Sequence, residues 1–433
     1  MRKQQFSTAG LALTMIGIFT GCGTTNVTLS TQGTTTTSSI NVANQTSQSV
    51  PKKAKNKSTP SANTISSVES QKSSSAGQFV FTKPPHMWNG TQGWTTASVL
   101  ALNNGSKMFG IRLLTTHDGG NTWSNAGPKL KSLNGLQDED GSFYSPSLGW
   151  FVELAPDHEF IIQRTTDGGA LWKSSTPIPT HLGDGGMQID RVSQDVGYAV
   201  VRDAGMTNPS SELYQTVDGG ASWKPLRNLP ISGTIDFVSK ENGWLAGTNN
   251  TPDPLLKANT GHTGMGYTWL YQTTDGGQSW KHIELPIPKS LTSDHTSVSY
   301  PIFRGTWGIV TVTFSPAKGD NRAEALYVTN DGGKSWTSYK IPTGTVADVQ
   351  FLSPSSGFLK SYVPGKTPSS PETPEWFCTQ NGGRTWTRLN ISLPNQGTTD
   401  TSIEFSTNTN WWAENQTGLF KTTNGGKSWV QVP

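Results

Sequence analysis

Thr273-Thr274-Asp275-Gly276-Gly277-Gln278-Ser279-Trp280 is the clearest of seven copies of one octapeptide: Thr, any residue, Asp or Asn, Gly, Gly, two residues, Trp. The other copies place the acid or amide at Asp118, Asp167, Asp218, Asp331, Asn381 and Asn424. Their tryptophans are Trp123, Trp172, Trp223, Trp336, Trp386 and Trp429. Successive copies stand 49, 51, 57, 56, 50 and 43 residues apart. A period of that size means a solenoid or a propeller. The octapeptide itself is turn chemistry. Asp or Asn accepts hydrogen bonds from backbone N–H groups one to three residues on, and Gly-Gly supplies the positive φ of a tight hairpin. The Thr hydroxyl bonds the same loop, and the Trp resumes a strand with a large apolar group to bury. Calcium loops are also Asp-rich. Here no copy has their spaced carboxylates, and two copies keep the acceptor as Asn while losing the charge, so no metal is expected.

Working outward, each unit has the same plan. An alternating strand such as Thr234-Ile235-Asp236-Phe237-Val238 leads into a turn ending in Gly and an aromatic residue: Gly93-Trp94, Gly149-Trp150, Gly197-Tyr198, Gly243-Trp244, Gly357-Phe358. Units five and seven are looser, with Trp307-Gly308 and Trp411-Trp412. A second strand, a variable loop and a third strand such as Trp269-Leu270-Tyr271-Gln272 precede the octapeptide, and a fourth strand follows it. Four strands per unit make one propeller blade. The expected fold is therefore all-β, a seven-bladed propeller over residues 79–433.

These copies resemble the Asp-box, or BNR, repeat of sialidases and of many exported propellers. The tandem Phe…Gly-Trp…Thr-x-Asp-Gly-Gly-x-Ser-Trp units are most similar in style to propellers of the photosystem II assembly-factor type. That resemblance implies an exported module that binds a partner protein and turns over no substrate. It also implies that the Asp-boxes sit at the blade periphery, away from any active site.

In an up-and-down blade the first and third turns share a face, so the Gly-aromatic turns and the Asp-boxes lie together. The second turns and the links between blades lie opposite, and there the sequence varies. The long second turns are 249–267, 315–325 and 363–375, and the long links are 125–142, 174–187 and 282–296. Insertions collected on one side of a repeat protein mark a binding face. On it we place His181, Asp184, His262, Tyr267 and His295 as candidate binding residues, with Asp138, Glu139, Asp140 and Asp294 nearby. All of these types are also common on plain solvated surface.

The alternative reading, a sialidase-like or other glycoside hydrolase, needs more than the fold. Sialidases hold a carboxylate with three arginines and use a Tyr–Glu pair with an Asp. Their first arginine lies in a Phe/Tyr-Arg-Ile-Pro motif before the first Asp-box, and nothing between Phe79 and Asp118 matches it. The nearest string, Pro301-Ile302-Phe303-Arg304-Gly305, follows the fourth box. No zinc spacing, nucleophile elbow or phosphate loop is present. No catalytic residue and no cofactor are assigned.

The chain opens with Arg2 and Lys3, then an apolar run over about residues 9–19 that is short for a membrane span. Phe19-Thr20-Gly21-Cys22 resembles a bacterial lipobox, which implies a lipoprotein signal over residues 1–22 with Cys22 as the lipid-modified residue. Residues 23–78 are rich in Ser, Thr, Asn and Gln, with Lys52, Lys53, Lys55 and Lys57 clustered. Such a segment cannot bury enough surface to fold and is expected to be a disordered tether. Two cysteines, Cys22 and Cys378, are too few for a disulfide framework. The remaining residues carry 26 basic against 29 acidic side chains, so the propeller lacks the basic balance of a nucleic-acid binder. Expected partners are an envelope protein or a cell-surface glycan, with contact to the membrane through the lipid anchor and none to nucleic acid.

Overall fold

The computed structural model describes residues 80–432 apart from 104–105, 129–140, 156–158, 179–181, 183–185, 204–209, 250–266, 287, 289–294, 300, 316–322, 343–344, 364–371 and 394–400. The candidate signal segment, Cys22 and the candidate tether lie outside the described residues. Every regular element among the described residues is a strand.

The strands form seven separate antiparallel sheets, and each sheet draws its strands from one continuous stretch of chain. Blade 4 shows the pattern: Ser232–Phe237, Gly243–Asn249, Tyr267–Thr273 and Lys281–Ile283 pair in that order. First strands of neighbouring blades bond to one another and so surround the axis. Gln188 Nε2 donates to Ile235 O at 2.9 Å, and Gln350 Nε2 donates to Ile403 O at 2.8 Å. Fourth strands are short and largely exposed, as at Lys224–Asn228 and Thr387–Arg388, and form the rim. In blades 1 and 5 the inner strand is broken into two pieces, Val80–Phe81 with His86–Met87 and His295–Val298 with Ile302–Arg304. Pro84, Pro85 and Pro301 fall at those breaks, where a missing N–H interrupts the ladder.

The core lies between blades. In four blades a phenylalanine at or next to the end of the first strand pairs with a glycine at the start of the second: Phe143 with Gly149, Phe237 with Gly243, Phe303 with Gly308, Phe351 with Gly357. A Cβ on Gly308 would lie 2.2 Å from the Phe303 ring, which is why the position is glycine. That phenylalanine then meets the aromatic of the preceding blade. Tyr198 stacks on Phe237 at 3.5 Å, Trp244 on Phe303 at 4.2 Å and Phe358 on Phe405 at 3.9 Å between centroids. The register also corrects the reading of unit five. Gly308 is in phase with the other glycines and Ile309 takes the aromatic position, while Trp307 packs against Phe351 of the next blade.

The ring closes without exchanging a strand. Blade 7 is complete in itself, from Ser402–Phe405 to Val430–Val432. Side chains make the seam: Trp123 lies edge-on to Phe81 and to Trp412, and Lys421 Nζ donates to Gly119 O at 3.3 Å and Asn121 Oδ1 at 3.2 Å. His86 Nδ1 stands 3.3 Å from Glu404 Oε1 across the same seam.

Candidate functional site

The seven octapeptides form one face by a repeated set of hydrogen bonds. In the copy at Asp275, Thr273 Oγ1 donates to Oδ1 at 2.8 Å, Gly277 N donates to Thr273 Oγ1 at 2.8 Å, and Ser279 N and Oγ donate to the two carboxylate oxygens at 2.8 and 2.5 Å. The acid reaches four residues on, one further than the sequence reading allowed. Both glycines of every copy have φ between 69° and 94°. In the Asn copies the outer bond runs in reverse, with Asn381 Nδ2 donating to Thr385 Oγ1 and Asn424 Nδ2 to Ser428 Oγ, both at 2.8 Å. The hydroxyl serves as acceptor there, so Asp and Asn fill the same turn. These bonds hold the Asp118 and Asp331 carboxyls at about 2, led in each by the hydroxyl four residues on.

The two kinds of turn on this face are joined. The first glycine of each Asp-box donates its N–H to a carbonyl of the first turn: Gly119 to Thr91, Gly168 to Ser147, Gly219 to Asp195, Gly276 to Glu241, Gly332 to Thr306, Gly382 to Ser355 and Gly425 to Thr409, at 2.8–2.9 Å. These N–H groups are satisfied internally, although clefts of about 360 and 340 Å³ open on this face beside Asn381 and Asp118.

The long connections all leave from strand ends on the other side. Asn249 pairs with Tyr267, and Val363 pairs with Thr373, at the ends of their ladders away from the Asp-boxes. The links after Asn125, Ser174 and Ile283 leave fourth strands at the same side. Of the candidate binding residues, Tyr267 and His295 are placed in backbone register there, opposite Asn249 and Ser315. His181, Asp184 and His262 lie outside the described residues, as do Asp138, Glu139, Asp140 and Asp294.

Sequence reasoning missed a row of acids on the inner strands. Asp190 accepts the N–H of Phe237, and Asp236 accepts that of Phe303 at 2.6 Å, so each carboxyl stitches its blade to the next. Burial pushes Asp190 up to about 7, with the Asp236 charge adding to it, and pushes Asp236 up to about 6 against the pull of the Phe303 N–H and Arg304. Burial likewise raises Asp348, whose carboxylate takes Gln350 Nε2 at 2.6 Å. The signal was the polar residue just before the strand-ending Phe or its equivalent, as in Ile189-Asp190-Arg191 and Ile235-Asp236-Phe237.

Four arginines, which a carboxylate clamp of the sialidase kind would need free, are individually engaged. Arg191 lies over the rings of Tyr144 and Trp150 and donates to Ser193 O and Gln194 O. Arg304 donates to Phe351 O at 3.0 Å, Arg227 donates to Gln278 O, and Arg388 pairs with Glu375 at 2.7 Å. A cleft of about 690 Å³ is at the seam between blades 1 and 7, against Phe81, Trp123, Asn415 and Gln431. Among the described residues no group of three or more His, Cys, Asp or Glu is placed to hold a metal.

No family model matches the chain. The sequence is similar to the photosystem II stability/assembly factor HCF136 of Arabidopsis thaliana, 23% identical over 297 residues, covering 58% of this chain and 69% of that one. It is also similar to the photosystem II assembly lipoprotein Ycf48 of Synechococcus, 28% identical over 213 residues, covering 45% of this chain and 54% of the relative. Among solved structures, Ycf48 bound to a D1 peptide matches with a TM-score of 0.48 and 16% identity, covering 79% of this chain and 92% of that one. A prolyl endopeptidase structure matches with a TM-score of 0.51 and 9% identity, covering 82% of this chain and 50% of that one, a likeness of fold alone.

Proposed function

We propose that the protein is an exported, lipid-anchored and non-catalytic binding or assembly module of the cell envelope. On this reading it takes a protein partner on the face opposite the Asp-boxes. The observation that carries it is the contrast of the two faces: one knit by the same internal hydrogen bonds in every blade, the other holding the strand ends from which the long connections leave. Similarity to two proteins named as assembly factors supports a role in assembly. We assign His181, Asp184, His262, Tyr267 and His295 to the recognition surface. Residues 1–22 are read as the signal, Cys22 as the lipidated residue and residues 23–78 as the tether. The similarity to a protein named as a lipoprotein favours that reading.

The test is capture from the organism's own envelope, comparing the chain with a variant whose residues 250–266 are replaced by a two-residue turn. One protein held by the first and lost by the second is the expected result. Hydrolysis of a fluorogenic glycoside by the purified chain would overturn the non-catalytic reading. Mass spectrometry of the native amino terminus tests Cys22 lipidation separately.

A further inference from the structure

Six of the seven junctions between blades are filled by the link that crosses them. In five, the link carries a large apolar residue five or six positions after the Asp-box Trp of the blade it leaves: Ile178, Leu229, Leu285, Ile341 and Ile391. Each belongs to one apolar cluster with the Asp-box Trp of the next blade: Ile178 with Trp223, Leu229 with Trp280, Leu285 with Trp336, Ile341 with Trp386 and Ile391 with Trp429. Between blades 1 and 2 the buried Ala126 takes this place, and its carbonyl accepts Trp172 Nε1 at 2.8 Å.

Blades 7 and 1 are the neighbours that do not follow one another in the chain, and their junction differs. The residues described after Trp429 reach Val432, three positions on. The 690 Å³ cleft lies at this junction, with Val80, Phe81, Trp123, Leu419 and Val432 as its apolar lining, and the 415–418 turn lines it too. Val80 is left 55% exposed. Val80 and Phe81 pair with Ser98 and Ala97 in the inner strand of blade 1. The second strand, Gly93–Asn103, runs on past Ser98, so its backbone offers the inner strand further partners upstream of Val80. Side chains two apart on a strand share a face. Phe81 lies edge-on to Trp123 in the seam, at 5.8 Å between centroids. A strand continued upstream puts Phe79 on that same face, about 7 Å further toward the loop-bearing side. The 415–418 turn of blade 7 is on that side.

From these observations we infer that Gly77-Gln78-Phe79 is the clasp of the ring. It continues the inner strand of blade 1 and seats the Phe79 ring in the seam cleft, as Ile178 and its equivalents are seated at the other junctions. Residues 69–78 hold no other large apolar side chain, so Phe79 is the anchor. Being joined directly to Val80, it is presented to the cleft at an effective concentration of roughly millimolar or above, and a shallow fit suffices to hold it. The clasp depends neither on Cys22 nor on what the loop-bearing face binds.

The experiment places benzoylphenylalanine at position 79 of the full chain, irradiates it and locates the cross-link by mass spectrometry. The expected cross-link lies within one chain, to residues 415–419 or 431–432. Cross-links confined to blade 1, to a second copy or to another protein overturn the inference, as does the absence of any. Hydrogen exchange gives a second reading. Phe79→Ala should speed exchange about tenfold in residues 415–422 and 430–432 and leave residues 337–341, at the junction of blades 5 and 6, unchanged. Phe79→Leu still fills the cleft and should exchange as the parent does. Equal exchange at the seam in Phe79→Ala and parent overturns the clasp, and so does an equal rise at both junctions. The cross-link decides the matter if Phe79→Ala unfolds. Because neither reading involves Cys22 or a captured partner, failure here is distinct from failure of the binding-module reading.

Discussion

On the Asp-box face, seven turns of nearly one sequence close with the same hydrogen bonds. On the opposite face, the hairpin connections range from two residues between Asn415 and Gly418 to seventeen between Asn249 and Tyr267. The contrast follows from what each turn must do. An Asp-box supplies backbone donors, acceptors and positive φ that the adjacent turn and the preceding blade depend on. A loop on the far side only reconnects two strands already in register, and each doubling of its length costs only about 0.6 kcal/mol in closure entropy. One face is therefore held by local chemistry, and the other is free to specialise.

The largest effect should come from cutting the packing behind the Asp-box face. Trp244→Ala removes a ring that is 1% exposed, stacked on Phe303 and edge-on to Trp336. We expect a loss of ~3–5 kcal/mol in denaturant unfolding. The 250–266 replacement halves the loop about three times over, so it should raise stability by no more than ~2 kcal/mol. Equal losses from the two would erase the contrast between faces.

The next effect depends on pH. Folding raises the Asp190 carboxyl from 3.8 to about 7 and that of Asp236 to about 6, so the folded chain keeps protons that the unfolded chain has lost. Their contribution is fully present below about pH 4 and disappears as pH rises through 6 and 7. Asp190→Asn keeps an acceptor for the Phe237 N–H and removes the ionisation. It should flatten the stability profile over that window and gain ~1–3 kcal/mol at pH 8. A profile as steep as the parent's would show that Asp190 does not titrate there.

Smaller changes probe the turns themselves. Asp275→Ala should cost ~1 kcal/mol, while Asp275→Asn should stay within about 0.5 kcal/mol, since Asn381 and Asn424 already fill the same geometry. Similar melting temperatures for Asp275→Ala and its parent would count against the stapling role. Leu171 is the one position four residues after the acid that lacks a hydroxyl, and it is 70% exposed. Leu171→Ser gives Asp167 the missing donor and should add a few tenths of a kcal/mol, about the limit of what calorimetry resolves.

Much of this was legible in the residues. The spacing of the boxes and the doubled glycines announce seven hairpins, and the up-and-down rule puts Asp-boxes and Gly-aromatic turns on one face, as the Gly276–Glu241 bond and its six equivalents bear out. Part of the inter-blade packing was present but unread: Phe143, Phe237, Phe351 and Phe405 each stand six residues before a Gly or, in blade 7, Trp411. The candidate binding residues were less legible, because variable loops have no periodicity and their placement depends on what they meet.

By itself the sequence determined the number of blades, the chemistry of each turn and which turns share a face, because these depend on contacts within one blade. Tertiary structure decided what depends on residues far apart in the chain. It set the stacking of Tyr198 on Phe237 and the burial that lifts Asp190 and Asp236. It closed the ring through Trp123, Trp412 and Lys421 with no shared strand, and it let the blade 1 hairpin run past its neighbours. Periodicity reports the unit, but desolvation, ring stacking and strand overhang are properties of how units meet.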